Sequence, residues 1–411
     1  MKFPETNRGS RPETEAELLA LAEGVIGTAS ETRPADAVLR EVLAGAGSGV
    51  RLDAGWVSGA VFAYYRWLGW LEDTGGGVVG RIRRALELDE RFQQNPASFS
   101  DGHLVARVAP RWVRDEVEVT PALARAWQGH PVLWLRSRAG QGRAVVRALG
   151  GCEPFGHGKL VDVLRYSGSK DLFRTQEFHS GEFEVQDLSS QAVGFACNPL
   201  PGDTWWDACA GEGGKTLHLS TLMNNKGLIW SSDRAEWRLK RLKRRAARAD
   251  VFNYRVAIWD GGAKLPTRTR FDGILVDAPC SGLGTWHRNP HARWTTTMKD
   301  VEELRELQFQ LLRNAAPGLK PGGRLVYSVC TITRSETLEV AERFSREFPE
   351  FQVCPIKHPL ATGAPATGGK RVAAGGEAAS PSTPAEDRSI MILPQEYQSN
   401  GMFIAAWKRA T

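Results

Sequence analysis

Two cysteines and an aspartate hold the positions from which this sequence could do chemistry. Cys280 lies in Asp277-Ala278-Pro279-Cys280-Ser281-Gly282, directly after the run FDGILVD, and Cys330 lies in Tyr327-Ser328-Val329-Cys330-Thr331, directly after a second apolar run. Both runs read as strands. As parallel neighbours, they would bring two thiols and the Asp277 carboxylate to one crevice at the sheet's carboxyl edge. A thiolate there is a nucleophile, and a carboxylate can stabilise or move a proton. Position alone does not say which cysteine attacks. A lone cysteine is more often a small core residue, the reading given to Cys152, Cys197 and Cys354. No two of the six cysteines have CxxC spacing, so neither a zinc knuckle nor a disulfide framework is expected, no metal is called for, and reduced thiols in the cytoplasm are the expectation.

A second cluster precedes these. Asp207-Ala208-Cys209-Ala210-Gly211-Glu212-Gly213-Gly214-Lys215-Thr216 follows a strand, Thr204–Asp207, and opens a helical run. Small residues let the backbone pass close to a ligand at a helix N-terminus. A phosphate-binding P-loop would need glycine six positions before Lys215, where Cys209 stands. The better reading is a nucleoside-cofactor loop of the methyltransferase kind. Asp233 ends the next strand, where a carboxylate can accept both hydroxyls of a ribose, and Asp260 ends the one after, on the adenine side. Either aspartate alone could be a helix cap. Their placement at successive strand ends favours a ligand.

The elements that must position these residues alternate. Candidate strands at 204–207, 227–233, 254–259, 271–277 and 323–328 are separated by helical stretches such as 235–248 and 301–315, which argues for a doubly wound parallel sheet. Upstream, Thr14 to Leu88 is helical in pattern, with Ala35, Val38, Leu39, Val42 and Leu43 on one face. Strands at His130–Arg136 and Leu160–Leu164 flank a helix at 140–149, and Ala/Gly/Pro-rich residues 361–388 read as a flexible insertion. The organisation expected is a helical region over 1–125, a small α/β module over 126–180 and a catalytic domain over 181–411. Residues 1–12 should fray. Met1 to Asn7 has no apolar stretch, so no secretory signal is expected, and no apolar run approaches a membrane span. A net charge of +6 and a pI near 9.0 permit a nucleic-acid partner without demanding one.

Four segments together resemble the RNA cytosine-5 methyltransferases. Asp277 to Trp294 (DAPCSGLGTWHRNPHARW) is similar to that family's DAPCSGTGxxxRxPxxxW signature; Leu319 to Thr331 (LKPGGRLVYSVCT) to its LKPGGxLVYSTCS; Phe183 to Gln191 to its FxVQDxSSQ; and Leu393 to Lys408 to its closing segment. The resemblance implies a Rossmann-like, class I S-adenosylmethionine-dependent fold, with S-adenosyl-L-methionine as cofactor and RNA, ribosomal rather than transfer, as partner, in a monomer. It implies Cys330 as the nucleophile at cytosine carbon 6, Asp277 as the group that stabilises a proton on ring nitrogen 3, and Cys280 as the group that helps remove the carbon 5 proton or resolve the adduct. Lys215 would orient Asp277 or the base. The cofactor would be held by Cys209, Ala210, Gly211, Glu212, Gly213, Gly214, Lys215, Asp233, Arg238, Asp260 and Asp277. Arg288, Asn289, Pro290, Arg293 and Trp294 would engage a flipped-out cytosine and its neighbours. The helical front resembles the NusB-like domain of bacterial 16S rRNA enzymes, and 126–180 a ferredoxin-like, RNA-recognition-like module.

The family loop reads CAAPGGKT where this chain has CAGEGGKT, which removes a stiff proline and adds a negative charge near the place of a sulfonium. A methyltransferase-like RNA-binding or assembly factor that has lost turnover is therefore the alternative; retention of both cysteines, Asp277 and Lys215 argues against it. An amino-methyltransferase would carry a Pro-Pro-aromatic turn where Ala278-Pro279-Cys280 stands. The basic run Arg234 to Arg248 reads either as a solvated helix face or as a phosphate-contacting surface.

Overall fold

The computed structural model describes residues 14–45, 53–360 and 386–411. The expectations for 1–12 and for most of 361–388 lie outside the described residues. The chain forms two units, one from residues up to His130 together with Trp286–Thr297, the other from Pro131–Thr285 and Met298–Thr411.

The first unit is helical: α1 (Glu15–Thr28), α2 (Ala35–Gly45), α3 (Ala54–Arg66), α4 (Gly77–Gln94), α5 (Asp101–Arg107), α6 (Val113–Glu116) and α7 (Pro121–Gln128). Thr14 starts α1 with a reciprocal cap: its hydroxyl accepts the Glu17 N–H at 3.3 Å, and the Glu17 carboxylate accepts the Thr14 N–H at 2.7 Å. Thr120 caps α7 in one direction only, its hydroxyl accepting the Leu123 N–H at 3.2 Å, with Pro121 preset for the first turn. Segment Trp286–Thr297, which carries α13 (Pro290–Thr295), belongs to this unit. Trp286 and Arg293 are fully buried. Trp286 packs against Trp127 with ring centroids 5.3 Å apart. The Arg293 guanidinium donates to Trp127 O at 2.6 Å, Gln128 Oε1 at 2.7 Å and Val108 O at 3.1 Å. The Trp294 indole donates to Tyr65 O at 2.6 Å. The expectation that Arg293 and Trp294 engage a cytosine is thereby corrected. A buried guanidinium needs acceptors for its N–H groups, and both terminal nitrogens of this one donate to the helical unit.

The second unit opens with a four-stranded antiparallel sheet in the order β2-β3-β1-β4, built from β1 (Leu133–Ser137), β2 (Cys152–Pro154), β3 (Val163–Tyr166) and β4 (Phe183–Val185), with α8 (Gly142–Leu149) and α9 (Gln176–His179) in the connections. This is the ferredoxin-like order. The extended stretch expected from Leu160 begins only at Val163, after a 3₁₀ turn. Both faces of the sheet are covered. Leu135, Leu164 and Phe183 pack against Val145 and Leu149, while Trp134 and Val163 pack against Ala192 and Leu219 of the larger layer. Arg136, also on the inner side, donates to Gln186 at 2.7 Å and Thr221 at 2.9 Å. The module therefore lacks the open aromatic sheet with which RNA-recognition modules stack bases.

The larger sheet runs β10-β14-β9-β8-β5-β6-β7. Its five parallel strands are β5 (Thr204–Asp207), β6 (Leu228–Asp233), β7 (Tyr254–Ile258), β8 (Phe271–Asp277) and β9 (Leu319–Val329); α10 (Leu188–Cys197) precedes them, and α11 (Gly214–Leu222), α12 (Glu236–Arg248) and α14 (Met298–Ala315) lie between them. After α15 (Leu338–Glu347), β10 (Phe351–Val353), β13 (Ser389–Ile392) and β14 (Met402–Arg409) extend the sheet antiparallel, so it is mixed rather than wholly parallel. A short pair, β11 (Ile356–Lys357) and β12 (Glu386–Asp387), and the single turn α16 (Pro394–Tyr397) complete the chain. The pleat sends successive side chains to opposite faces. Trp206, Ile274 and Val276 pack with Phe309 and Leu312 on one face, and Trp205, Leu275 and Val326 pack with Ala192 and Leu219 on the other. Burial on both faces accounts for the unbroken apolar runs of β8 and β9.

Candidate active site

The carboxyl ends of β5, β6, β8 and β9 carry Asp207, Asp233, Asp277 and, one residue further, Cys330. The β8–β9 register sets Asp277 opposite Ser328, so the turns leaving both strands start side by side. The sulfurs of Cys280 and Cys330 are 3.4 Å apart, and neither cysteine is fully buried. Lys215, in the first turn of α11, bonds Asp277 Oδ2 at 2.7 Å, and the Ser328 hydroxyl donates to Asp277 Oδ1 at 2.7 Å. Asp277 is thus fixed in orientation from two sides.

Electrostatics separates the thiols. A hydrogen bond from Cys280 lowers the Cys330 thiol below its ordinary value; burial opposes this, and the Lys215 ammonium assists it. Cys280 is pushed well up, by that same contact and then by burial. Burial also works against the Lys215 ammonium, but the charge and hydrogen bond of Asp277 outweigh it and raise its pKa. Cys330 is therefore the thiol prepared to ionise, and Cys280 the one prepared to hold a proton. Cys209, though in the loop, is pushed well up by burial and by the carboxylates of Asp207, Asp277 and Asp233, and stays a thiol.

The loop between β5 and α11 is pinned by its own backbone. Gly211, at φ +54°, gives its N–H to Asp233 Oδ2 at 3.0 Å, and an added Cβ there would face open space. Gly213 sits at φ +88°, and a Cβ would meet Leu242 at 2.6 Å, so no larger residue fits. Asp233 also accepts the Ala235 N–H at 2.8 Å, and Arg238 lies 3.7 Å from it. Asp260 stands two residues beyond β7, exposed, and accepts the Gly262 N–H at 2.9 Å. The Glu212 carboxylate points to α12, where Arg241 meets it at 2.6 Å, and Arg245 donates to the Glu212 carbonyl at 3.1 Å. The departure in this loop thus adds a cross-brace to α12, and its charge is met by an arginine. The open space over Gly211 beside the Asp233 carboxylate, with further acidic groups suited to a cation, fits an adenosyl sulfonium.

The basic helix resolves by face. Arg238, Arg241, Arg245 and Arg248 engage Asp233, Glu212 and Glu184, whereas Lys243 and Arg244 stay exposed. Reading from sequence missed three partners: Glu212–Arg241, Ser328 and the buried Glu336. Ser328 was recoverable from strand register; the other two required the helices in place.

This sheet order with its ligand edge defines a class I S-adenosylmethionine-dependent methyltransferase fold. A solved structure of the protein PH0851 shares the fold with a TM-score of 0.71 at 22% identity, covering 95% of this chain and 97% of that one. The family model for the 16S rRNA methyltransferases RsmB/F matches residues 195–408. The chain belongs to that family, as the motif resemblance implies, and the family takes its methyl group from S-adenosylmethionine. A probable ribosomal RNA small subunit methyltransferase B from Synechocystis sp. is 37% identical over 257 residues, 61% of this chain and 53% of the relative. The mouse tRNA (cytosine(72)-C(5))-methyltransferase NSUN6 is 36% identical over 184 residues, 42% of this chain and 38% of the relative. The match thus spans about half or less of these relatives' length. Among the described residues, no helix is long and apolar enough to cross a membrane.

Proposed function

We propose that this protein methylates carbon 5 of a cytosine in RNA, ribosomal rather than transfer, as a monomer in the cytoplasm. The observation that carries this is the pair of sulfurs 3.4 Å apart beside the Lys215–Asp277–Ser328 chain, at the edge where the glycine-rich loop lies. Carbon 5 of cytosine is a poor nucleophile until a thiolate adds to carbon 6. Cys330, its thiol lowered, makes that addition and splits one hard step into easier ones. Asp277, held by Lys215 and Ser328, stabilises the proton on nitrogen 3 as the ring loses aromaticity. Cys280, in contact with the attacking sulfur, assists the removal of the carbon 5 proton or the loss of the adduct. Loop residues 209–215 with Asp233, Arg238, Asp260 and Asp277 hold the cofactor, which supplies an electrophilic methyl carbon when bound. The reading of a protein without turnover is disfavoured because Glu212 is paired to Arg241 and so does not leave an unmatched charge in the loop.

The test is methyl transfer from labelled S-adenosylmethionine to small-subunit rRNA from a strain lacking this protein, with the product mapped by bisulfite sequencing. A single protected cytosine is expected. Label at an adenine or guanine, or none with calorimetrically verified cofactor binding, contradicts the reading.

A further inference from the structure

Glu336 has no part in the chemistry above, yet it is fully buried and saturated with donors. Its Oε1 accepts the Ser281 N–H at 2.8 Å and Gln308 Nε2 at 2.9 Å. Its Oε2 accepts the Thr333 hydroxyl at 2.8 Å and the Ser281 hydroxyl. Its own carbonyl accepts the Tyr327 hydroxyl at 2.6 Å. The same Gln308 amide also donates to Pro279 O at 2.9 Å, and the Ser281 hydroxyl lies 2.9 Å from that of Thr331. The network reaches residues beside both sulfurs, directly at Ser281 and through Gln308 and Ser281 at Pro279 and Thr331: Pro279 and Ser281 flank Cys280, and Thr331 adjoins Cys330.

Stability does not call for a carboxylate here. An apolar core would avoid the cost of taking the charge out of water, whereas a fully satisfied polar network selects one geometry. The geometry selected is the juxtaposition of the two turns, and proton handling between two thiols depends steeply on their separation. We infer that Glu336 is a positioning residue: it clamps the Cys280 turn to the Cys330 turn and so sets the spacing of the two sulfurs. The inference rests on the catalytic reading of that pair.

Phenylarsine oxide tests the spacing without RNA or methyl donor, because its arsenic exchanges oxygen for two As–S bonds, releasing water, only where two thiols stand together. Wild type should bind one equivalent tightly. Glu336→Ala should bind it far more weakly and lose about 100-fold in kcat, the cost of a misplacement near 1 Å, with KM for the RNA unchanged. Glu336→Gln keeps an acceptor for the Ser281 N–H and Gln308 and should recover most of both. Should Glu336→Ala fail to fold, Ser281→Ala removes one spoke and should weaken arsenical binding to a smaller degree. Unchanged arsenical affinity and kcat in a folded Glu336→Ala, or unchanged affinity in Ser281→Ala where that variant stands in, overturns the inference. Weakened arsenical binding alongside a wild type that methylates no RNA would uphold the clamp and refute the catalytic reading.

Discussion

Residues 277–285 and 286–297 are consecutive and fall within one motif, but they do opposite things. The first stretch delivers Asp277 and Cys280 to the sheet edge, half-exposed, with Asp277 bonded to Lys215 and Ser328. The second enters the helical unit, where Trp286 and Arg293 are fully buried and the Arg293 guanidinium is bonded to backbone carbonyls. Residue type did not separate them, since arginine, asparagine and tryptophan past a catalytic loop suit a nucleotide as well as a core. Burial separates them. A group left part-exposed at the sheet edge can do chemistry, and one fully buried with its terminal nitrogens bonded to carbonyls holds structure.

Cys330→Ala should break the first half completely: methyl transfer falls to background while cofactor affinity by calorimetry stays near wild type. Arg293→Met should break the second without touching the chemistry directly. It strands the carbonyls of Val108 and Trp127 and the Gln128 side chain, and should cost about 3 kcal/mol or more of stability, read as a lowered midpoint in denaturant titration.

A pH experiment sharpens the contrast between the two thiols. Cys330 is the anion-prone member, lowered by its contact with Cys280. Because the reactive form is the thiolate, its alkylation by iodoacetamide should begin at lower pH than that of an ordinary cysteine. Removing the donor in Cys280→Ala should move the midpoint of that profile to higher pH. A shift to lower pH would reverse the assignment of donor and acceptor.

The smallest effect is expected at the loop brace. Glu212 and Arg241 are 38% and 45% exposed, so the pair should be worth at most about 1 kcal/mol. Glu212→Ala and Arg241→Ala should each weaken S-adenosylmethionine binding by a few-fold, less so in high salt. The double variant should be no weaker than either single one, checked by titration calorimetry.

The parallel strands, the glycine loop and the paired cysteines were legible because each carries a local signature: apolar runs of strand length, φ-permissive residues, and thiols placed just after strands. The antiparallel strands Ser389–Ile392 and Met402–Arg409 carry no such signature: they pair with each other, and only Met402–Arg409 joins the sheet, through Leu319–Val329, which lies far away in sequence. Glu336 was invisible for a related reason. A glutamate six residues past a cysteine is an ordinary helix-start residue until Ser281 and Gln308 are folded against it. The basic helix misled in part, because its arginines at successive turns look free until Asp233, Glu212 and Glu184 are placed beneath them.

The most direct measurement is on Cys280→Ala incubated with S-adenosylmethionine and substrate RNA, then run on a denaturing gel and digested for mass spectrometry. The account predicts a slow-migrating protein–RNA species whose cross-linked peptide contains Cys330. Release of RNA as in wild type, or a cross-link at another residue, would contradict it.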